Sequence, residues 1–97
     1  MDIKTKTEPS RRVYGSKIYL LTLLSEKHTS WEFCMRILTE VFHKSADEAT
    51  MIAQDILNDG EGICGAYTFE IAETKAAIVE QQAKLERFTL RCLLEQV

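Results

Sequence analysis

Residues 60–75 read GEGICGAYTFEIAETK, and the order of small, apolar and acidic residues in this run sets the fold. Gly60 follows Asn58-Asp59 and can take the left-handed conformation that ends a helix. Ile63–Tyr67 (ICGAY) is a short apolar run of strand length. Thr68 is a natural helix cap, and Glu70 and Glu73 then fall in the early turns of a helix, where its dipole favours anions. A helix end, a strand and a helix start therefore meet in one stretch. Gly60, Gly62 and Gly65 imitate G-x-G-x-x-G spacing, but that motif belongs between a strand and a helix. Here it precedes a strand, so it reads as a turn and a tight strand.

Working towards the N-terminus, Ser45-Ala46-Asp47-Glu48 is an S-x-x-E capping box that opens a helix. Ala49, Ile52, Ala53, Ile56 and Leu57 fall on one face of it. Before the His43-Lys44 break, Phe33, Ile37, Leu38, Val41 and Phe42 recur at helical spacing. They follow Thr29-Ser30-Trp31-Glu32, a T-x-x-E in which Thr29 is expected to cap and Glu32 to reach back. Ile18–Leu24 (IYLLTLL) is apolar on both faces, as in a strand that is central or covered on both sides. Towards the C-terminus the third helix is expected to run to about Glu86, with Ile71, Ile78, Val79 and Leu85 apolar. Phe88–Glu95 alternates, with Phe88, Leu90, Cys92 and Leu94 on one face, and closes the domain as a strand. The order is β-α-α-β-α-β: a three-stranded sheet with helices over one face, an α/β sandwich of the α+β kind.

The totals bound the function. A chain of 97 residues makes one small domain with a single core. No apolar run approaches the ~20 residues of a membrane helix, and MDIKTKTEPSRR lacks the apolar core of a secretory leader. Cys34, Cys64 and Cys92 are odd in number and set within apolar patterns, so they read as free thiols of a reducing compartment, most simply the cytosol. Neither histidine is spaced for zinc, and neither is placed to activate Cys64 as a nucleophile. No catalytic, metal or cofactor site is therefore expected. Residues 1–17 carry five Lys/Arg against two acids, whereas the whole chain has a net charge of −3. The basic stretch has one aromatic and no repeat, so nucleic acid is not the expected partner. Residues 1–16 read as a flexible, solvated arm and residues 17–97 as the domain, expected to be a monomer.

The run from Gly60 to Lys75 also resembles the ClpS family, the small adaptors of bacterial Clp proteases. That family carries G-x-x-(I/V)-C-G-(V/I)-(F/Y)-T-x-E-(I/V)-A-E-T-K, and Gly60, Ile63, Cys64, Gly65, Tyr67, Thr68, Glu70, Ile71, Ala72, Glu73, Thr74 and Lys75 match it without a gap. The likeness extends from about Tyr19 to the C-terminus through Thr29, Glu32, Phe33, Ala49-Thr50, Leu90, Cys92 and Leu94-Glu95. It implies an antiparallel three-stranded sheet packed by three helices behind a flexible arm, which agrees with the order above. It implies an adaptor and not an enzyme, one that docks on the N-terminal domain of the unfoldase ClpA or ClpC. The substrates implied are proteins with a bulky apolar first residue, the N-degron. By the same resemblance Glu70, Glu73 and Lys75 face the unfoldase; without it they would read as solvated helix charges. Reversing Glu70 and Lys75 is expected to abolish docking and leave the fold intact.

The family's degron loop, N-D-D-Y-T-P-M-E-F, is SEKHTSWEF here, residues 25–33. The implied pocket is Ser25, Glu26, Lys27, Thr29, Ser30, Trp31, Ala53, Ile56, Leu57 and Leu90, and most of its chemistry is changed. Asn becomes Ser25, the two Asp become Glu26 and Lys27, Pro becomes Ser30, and Met becomes Trp31. A His that helps to hold the substrate ammonium is replaced by Leu57. An ammonium offers three donors and needs acceptors; Ser25 and Glu26 can accept, Leu57 cannot, and Lys27 adds a cation. Trp31 against the small Ala53 either reshapes the apolar pocket or fills it. Three functions stay open: a degron-delivering adaptor of altered specificity, a regulatory unfoldase-binding protein that no longer reads N-degrons, and an unrelated small enzyme or metal protein.

Overall fold

In the computed structural model the described residues are 17–26 and 29–97. The expectations for the arm, residues 1–16, and for Lys27 and His28 lie outside them. The described elements follow in the expected order: β1 (Ile18–Ser25), α1 (Trp31–Glu40), α2 (Ala46–Asp59), β2 (Glu61–Thr68), α3 (Phe69–Leu85) and β3 (Leu90–Gln96). Among the described residues the strands form one antiparallel sheet with β1 in the middle, between β2 and β3. That central place accounts for the apolar residues on both faces of IYLLTLL. Leu21 and Leu23 turn towards the helices and are fully buried.

The core joins Leu21, Leu23, Cys64 and Leu90 of the sheet to Phe33, Ile37 and Leu38 of α1 and to Ala53 and Ile56 of α2. Small residues set the close approaches. Gly60 stops α2 in the left-handed conformation, φ 85°, with its N–H on the Ile56 carbonyl. Gly62 lies against α2 so closely that a Cβ there would stand 2.8 Å from Ile56 Cγ1. These two roles, a helix stop and a helix contact, account for the glycine spacing as the turn and tight strand expected from the sequence.

The capping box at the start of α2 is formed in full, Ser45 with Glu48. The one expected for α1 is not. Ser30, not Thr29, is the cap, and its hydroxyl accepts from the Phe33 N–H at 3.0 Å. Thr29 is buried, and its hydroxyl is engaged with Ser25 Oγ at 2.9 Å, so it has been drawn back to the strand. Thr68 holds the cap position of α3 but makes no side-chain cap bond.

The buried face of α3 also differs from the expected one. Ala72, Val79 and Ala83 face the core, whereas Ile71, Ile78 and Leu85 are exposed, Leu85 by 75%. Alanines let the helix sit close on the sheet, and the three larger residues, spaced by seven, form a separate stripe on its outer side. Cys34 and Cys64 are buried and Cys92 is half-buried, all free. Burial pushes the Cys34 thiol up to about 11, and burial is also the main cause that pushes Cys64 and Cys92 up to about 12.

Candidate functional site

Two groups of the singled-out residues come together, one at each end of β1. At its C-terminal end Ser25 pairs across the sheet with Leu90, and its N–H donates to the Gly60 carbonyl at 2.8 Å. The end of β1, the start of β3 and the end of α2 thereby meet at one residue. The next residue, Glu26, donates its N–H to the Thr89 carbonyl at 3.4 Å, and its carboxylate lies 3.6 Å from an Arg91 guanidinium nitrogen. Both partners of that ion pair are exposed, so it is worth at most about 1 kcal/mol.

Around this junction the apolar members divide into a floor and a rim. Ala53, Ile56 and Leu90 are buried in the core. Trp31, the first residue of α1, is 40% exposed, and Leu57, on the last turn of α2, is 39% exposed. An indole that plugged a cavity would be covered; this one lies at the surface. Ser25, Glu26 and Thr29 supply hydroxyl and carboxylate acceptors at the same end. Within the Ser25–Thr29 pair either oxygen can act as the donor, and the one that donates keeps both its lone pairs to accept. The arrangement offers hydrogen-bond acceptors beside apolar side chains, which is chemistry for binding and not for bond breaking.

At the other end of β1 lies the second group of singled-out residues. Glu70 and Lys75 line one groove of about 560 Å3, between α3 and the C-terminal end of α1. Its apolar lining is Val41, Ile71 and Ile78. Glu73 is exposed and is not part of that lining. Glu70 also lines a second groove of about 500 Å3 with Lys17, Tyr19 and Phe69, where the described chain enters β1.

Lys75 is not the solvated helix charge that sequence alone suggests. Its Nζ donates to the Val41 carbonyl at 2.6 Å, satisfying the C-cap of α1, which has no basic residue in its own last turn. The same ammonium stands 5.4 Å from the Tyr67 ring centre and 5.9 Å from that of Phe42. Reversing Lys75 is therefore expected to cost these contacts, whereas the sequence reading expects the reversal to leave the fold intact. Sequence reasoning also missed the apolar part of this groove. The signal was present in the seven-residue spacing of Ile71, Ile78 and Leu85, but it reads equally well as a core face.

The comparisons with known proteins agree on one family. The family model for the ATP-dependent Clp protease adaptor protein ClpS matches residues 16–93. The ClpS adapter proteins of Nitratidesulfovibrio vulgaris (strain DP4) and Helicobacter hepaticus are each 48% identical over 81 residues, 84% of this chain and 78% and 82% of theirs. That of Syntrophus aciditrophicus is 35% identical over 96 residues, 99% of this chain and 90% of its own. Among solved structures, Agrobacterium tumefaciens ClpS2 bound to L-phenylalaninamide is similar with a TM-score of 0.77 and 28% identity. That likeness covers 84% of this chain and 99% of the other. Among the described residues no helix is long and apolar enough to cross a membrane.

Proposed function

The chain belongs to the ClpS family of ATP-dependent Clp protease adaptors, and on that premise we propose that it docks on the N-terminal domain of ClpA or ClpC and delivers substrates by their first residue. An adaptor of this kind selects substrates for a protease and is not one itself. The observation that carries the substrate half is the junction at the end of β1, where the acceptors of Ser25, Glu26 and Thr29 meet the apolar Ala53, Ile56 and Leu90. L-Phenylalaninamide, the ligand of the similar ClpS2 structure, is a phenylalanine with a free α-amino group and an amide in place of its carboxylate. That is the chemistry of a peptide's first residue. The same chemistry at this junction would place the ammonium on the acceptors and the side chain among the apolar residues.

Specificity is altered relative to the family, and a second reading follows from the same residues. An ammonium has three donors to satisfy, and Leu57 presents only carbon at the rim. One missing charged hydrogen bond costs about 1.5–3 kcal/mol, roughly 10- to 150-fold in affinity. Arg91 competes further by occupying the Glu26 carboxylate. If these losses dominate, the protein binds the unfoldase and redirects it without reading first residues.

Docking is assigned to the α3 groove, supported by Glu70 and Lys75 lining it together with an apolar Ile71 and Ile78. One titration separates the two readings. Fluorescent peptides starting with Phe or Leu are added to the protein alone and with the ClpA or ClpC N-terminal domain. N-acetylated peptides serve as the control. Binding that requires the free amine supports delivery; domain binding without peptide binding supports the regulatory reading. Failure to bind either unfoldase domain overturns both.

A further inference from the structure

The sheet face turned away from Leu21 and Leu23 carries a third groove, of about 350 Å3, that the adaptor reading does not use. Thr22 of the central strand pairs with Ile63 of β2 on one side and with Leu93 of β3 on the other. The three form one row across the floor of the groove. Ile63 is 56% exposed and Leu93 40%, whereas Thr22 between them is 7% exposed. Thr22 lines the groove, yet among the described residues its hydroxyl has no hydrogen-bond partner. A buried hydroxyl in that state is free to accept from a donor that enters.

Carboxylates close the row at both ends. Asp55 and Asp59, one turn apart on α2, stand with Glu61 on the β2 side, and Glu95 stands on the β3 side. All four are exposed, and among the described residues none has an ion-pair partner. Among the described residues no Lys or Arg lines the groove, and no group of three acids is arranged to hold a metal ion. Two strand spacings, about 10 Å, separate the outer strands. The order across the sheet is therefore acid, apolar, hydroxyl, apolar, acid.

We infer that this groove binds a linear aliphatic polyamine. Such a molecule repeats the same order, with an ammonium at each end, methylene links, and a secondary ammonium between them. Its ends donate to the carboxylates, its methylenes cover Ile63 and Leu93, and its inner N–H donates to Thr22 Oγ. Engagement at both ends raises affinity through effective concentration, and the exposed rim makes binding sensitive to salt. The inference stands independently of the adaptor reading, because it uses no residue of the β1 junction or of the α3 groove.

The test titrates the isotope-labelled full chain with spermidine at low ionic strength and follows the amide signals by NMR. Saturable shifts are expected at Thr22, Ile63, Leu93 and Glu95, with α1 unmoved. Butylamine, which has one ammonium, should bind at least about tenfold more weakly. Asp55→Asn/Asp59→Asn and Glu95→Gln each remove charge from one end at exposed positions, and each should weaken spermidine about threefold. Thr22→Val, which keeps the shape and removes the hydroxyl, should weaken it as well. Absence of shifts, or equal binding of butylamine, would overturn the inference. So would the same shifts with magnesium ions, which would mean charge screening alone. Unchanged affinity in the acid variants, or a response only to the peptide acetyl-Lys-Leu-Lys-amide, would equally rule out a polyamine site.

Discussion

Replacing Lys75 by Met tests whether α3, the helix proposed for docking, also carries a structural clamp. Met keeps the unbranched apolar stem and removes only the ammonium. The lost interactions are the 2.6 Å bond to the Val41 carbonyl and the contacts over Tyr67 and Phe42. A hydrogen bond from a charged donor is worth about 1.5–3 kcal/mol net. The ring contacts add about 0.5–1 kcal/mol each at half-exposed sites. These overlap because one ammonium makes them all, so the expected loss is about 2–3 kcal/mol. For a domain of this size that lowers Tm by roughly 10–20 °C. Thermal melts followed by circular dichroism read it directly, and Lys75→Arg, which keeps a donor, should recover part of the loss. A Met variant melting within about 2 °C of the parent would refute the reasoning, because Lys75 would then be a solvated charge. The outcome decides how docking is probed: with a clamp at Lys75, charge reversal belongs at the exposed Glu70 and Glu73.

Leu57→His with Lys27→Asp restores an acceptor and removes a cation at the substrate end, so Phe-initiated peptides should bind at least about tenfold more tightly. An unchanged Kd in fluorescence titration would mean that Ser25, Glu26 and Thr29 suffice. Gly62→Ala forces a methyl to within 2.8 Å of Ile56 Cγ1 and 3.0 Å of the Ile52 carbonyl, and should lower the urea midpoint by the equivalent of about 1–3 kcal/mol. Gly65→Ala should cost less, since only the end of the Tyr67 ring must swing aside. The thiols should resist Ellman's reagent in the folded protein at pH 8 and react on unfolding. Their raised values also set a sign: above about pH 9 the unfolded chain loses its thiol protons first, so stability falls as pH rises towards 11–12.

The element order was legible because each boundary carries local chemistry. Gly60 as a helix stop and Ser45 with Glu48 as a start need nothing beyond their neighbours in sequence. The misread positions are those where packing or a partner outside the local motif decides. Thr29 and Ser30 both suit a cap, and only the Ser25 hydroxyl, brought back by the strand, leaves the cap to Ser30. On α3, large apolar residues outweigh alanines in any periodic reading. Burial was instead decided by how closely the helix packs on the sheet, so Ala72 and Ala83 went inward and Ile71, Ile78 and Leu85 outward. Lys75 looked like a surface charge because its acceptor lies 34 positions away.

On the proposed function, the central strand would let one small domain hold two sites without interference. Ser25 and Glu26 stand at its C-terminal end, while Lys17, Tyr19, Phe69 and Glu70 gather at its start. An eight-residue strand separates them by about 25 Å. β1 is paired on both edges, so the two ends move as one body. A substrate held by Ser25, Glu26 and Thr29 would leave the α3 groove uncovered, and an unfoldase on that groove would leave the junction open. Both can then be occupied together, as delivery requires. Lys17, where the described chain enters the sheet, lines one groove with Glu70. Changes at Leu57 or Trp31 should accordingly alter peptide binding and leave docking untouched. A pocket substitution that weakened docking would show that the strand does not keep the two sites apart.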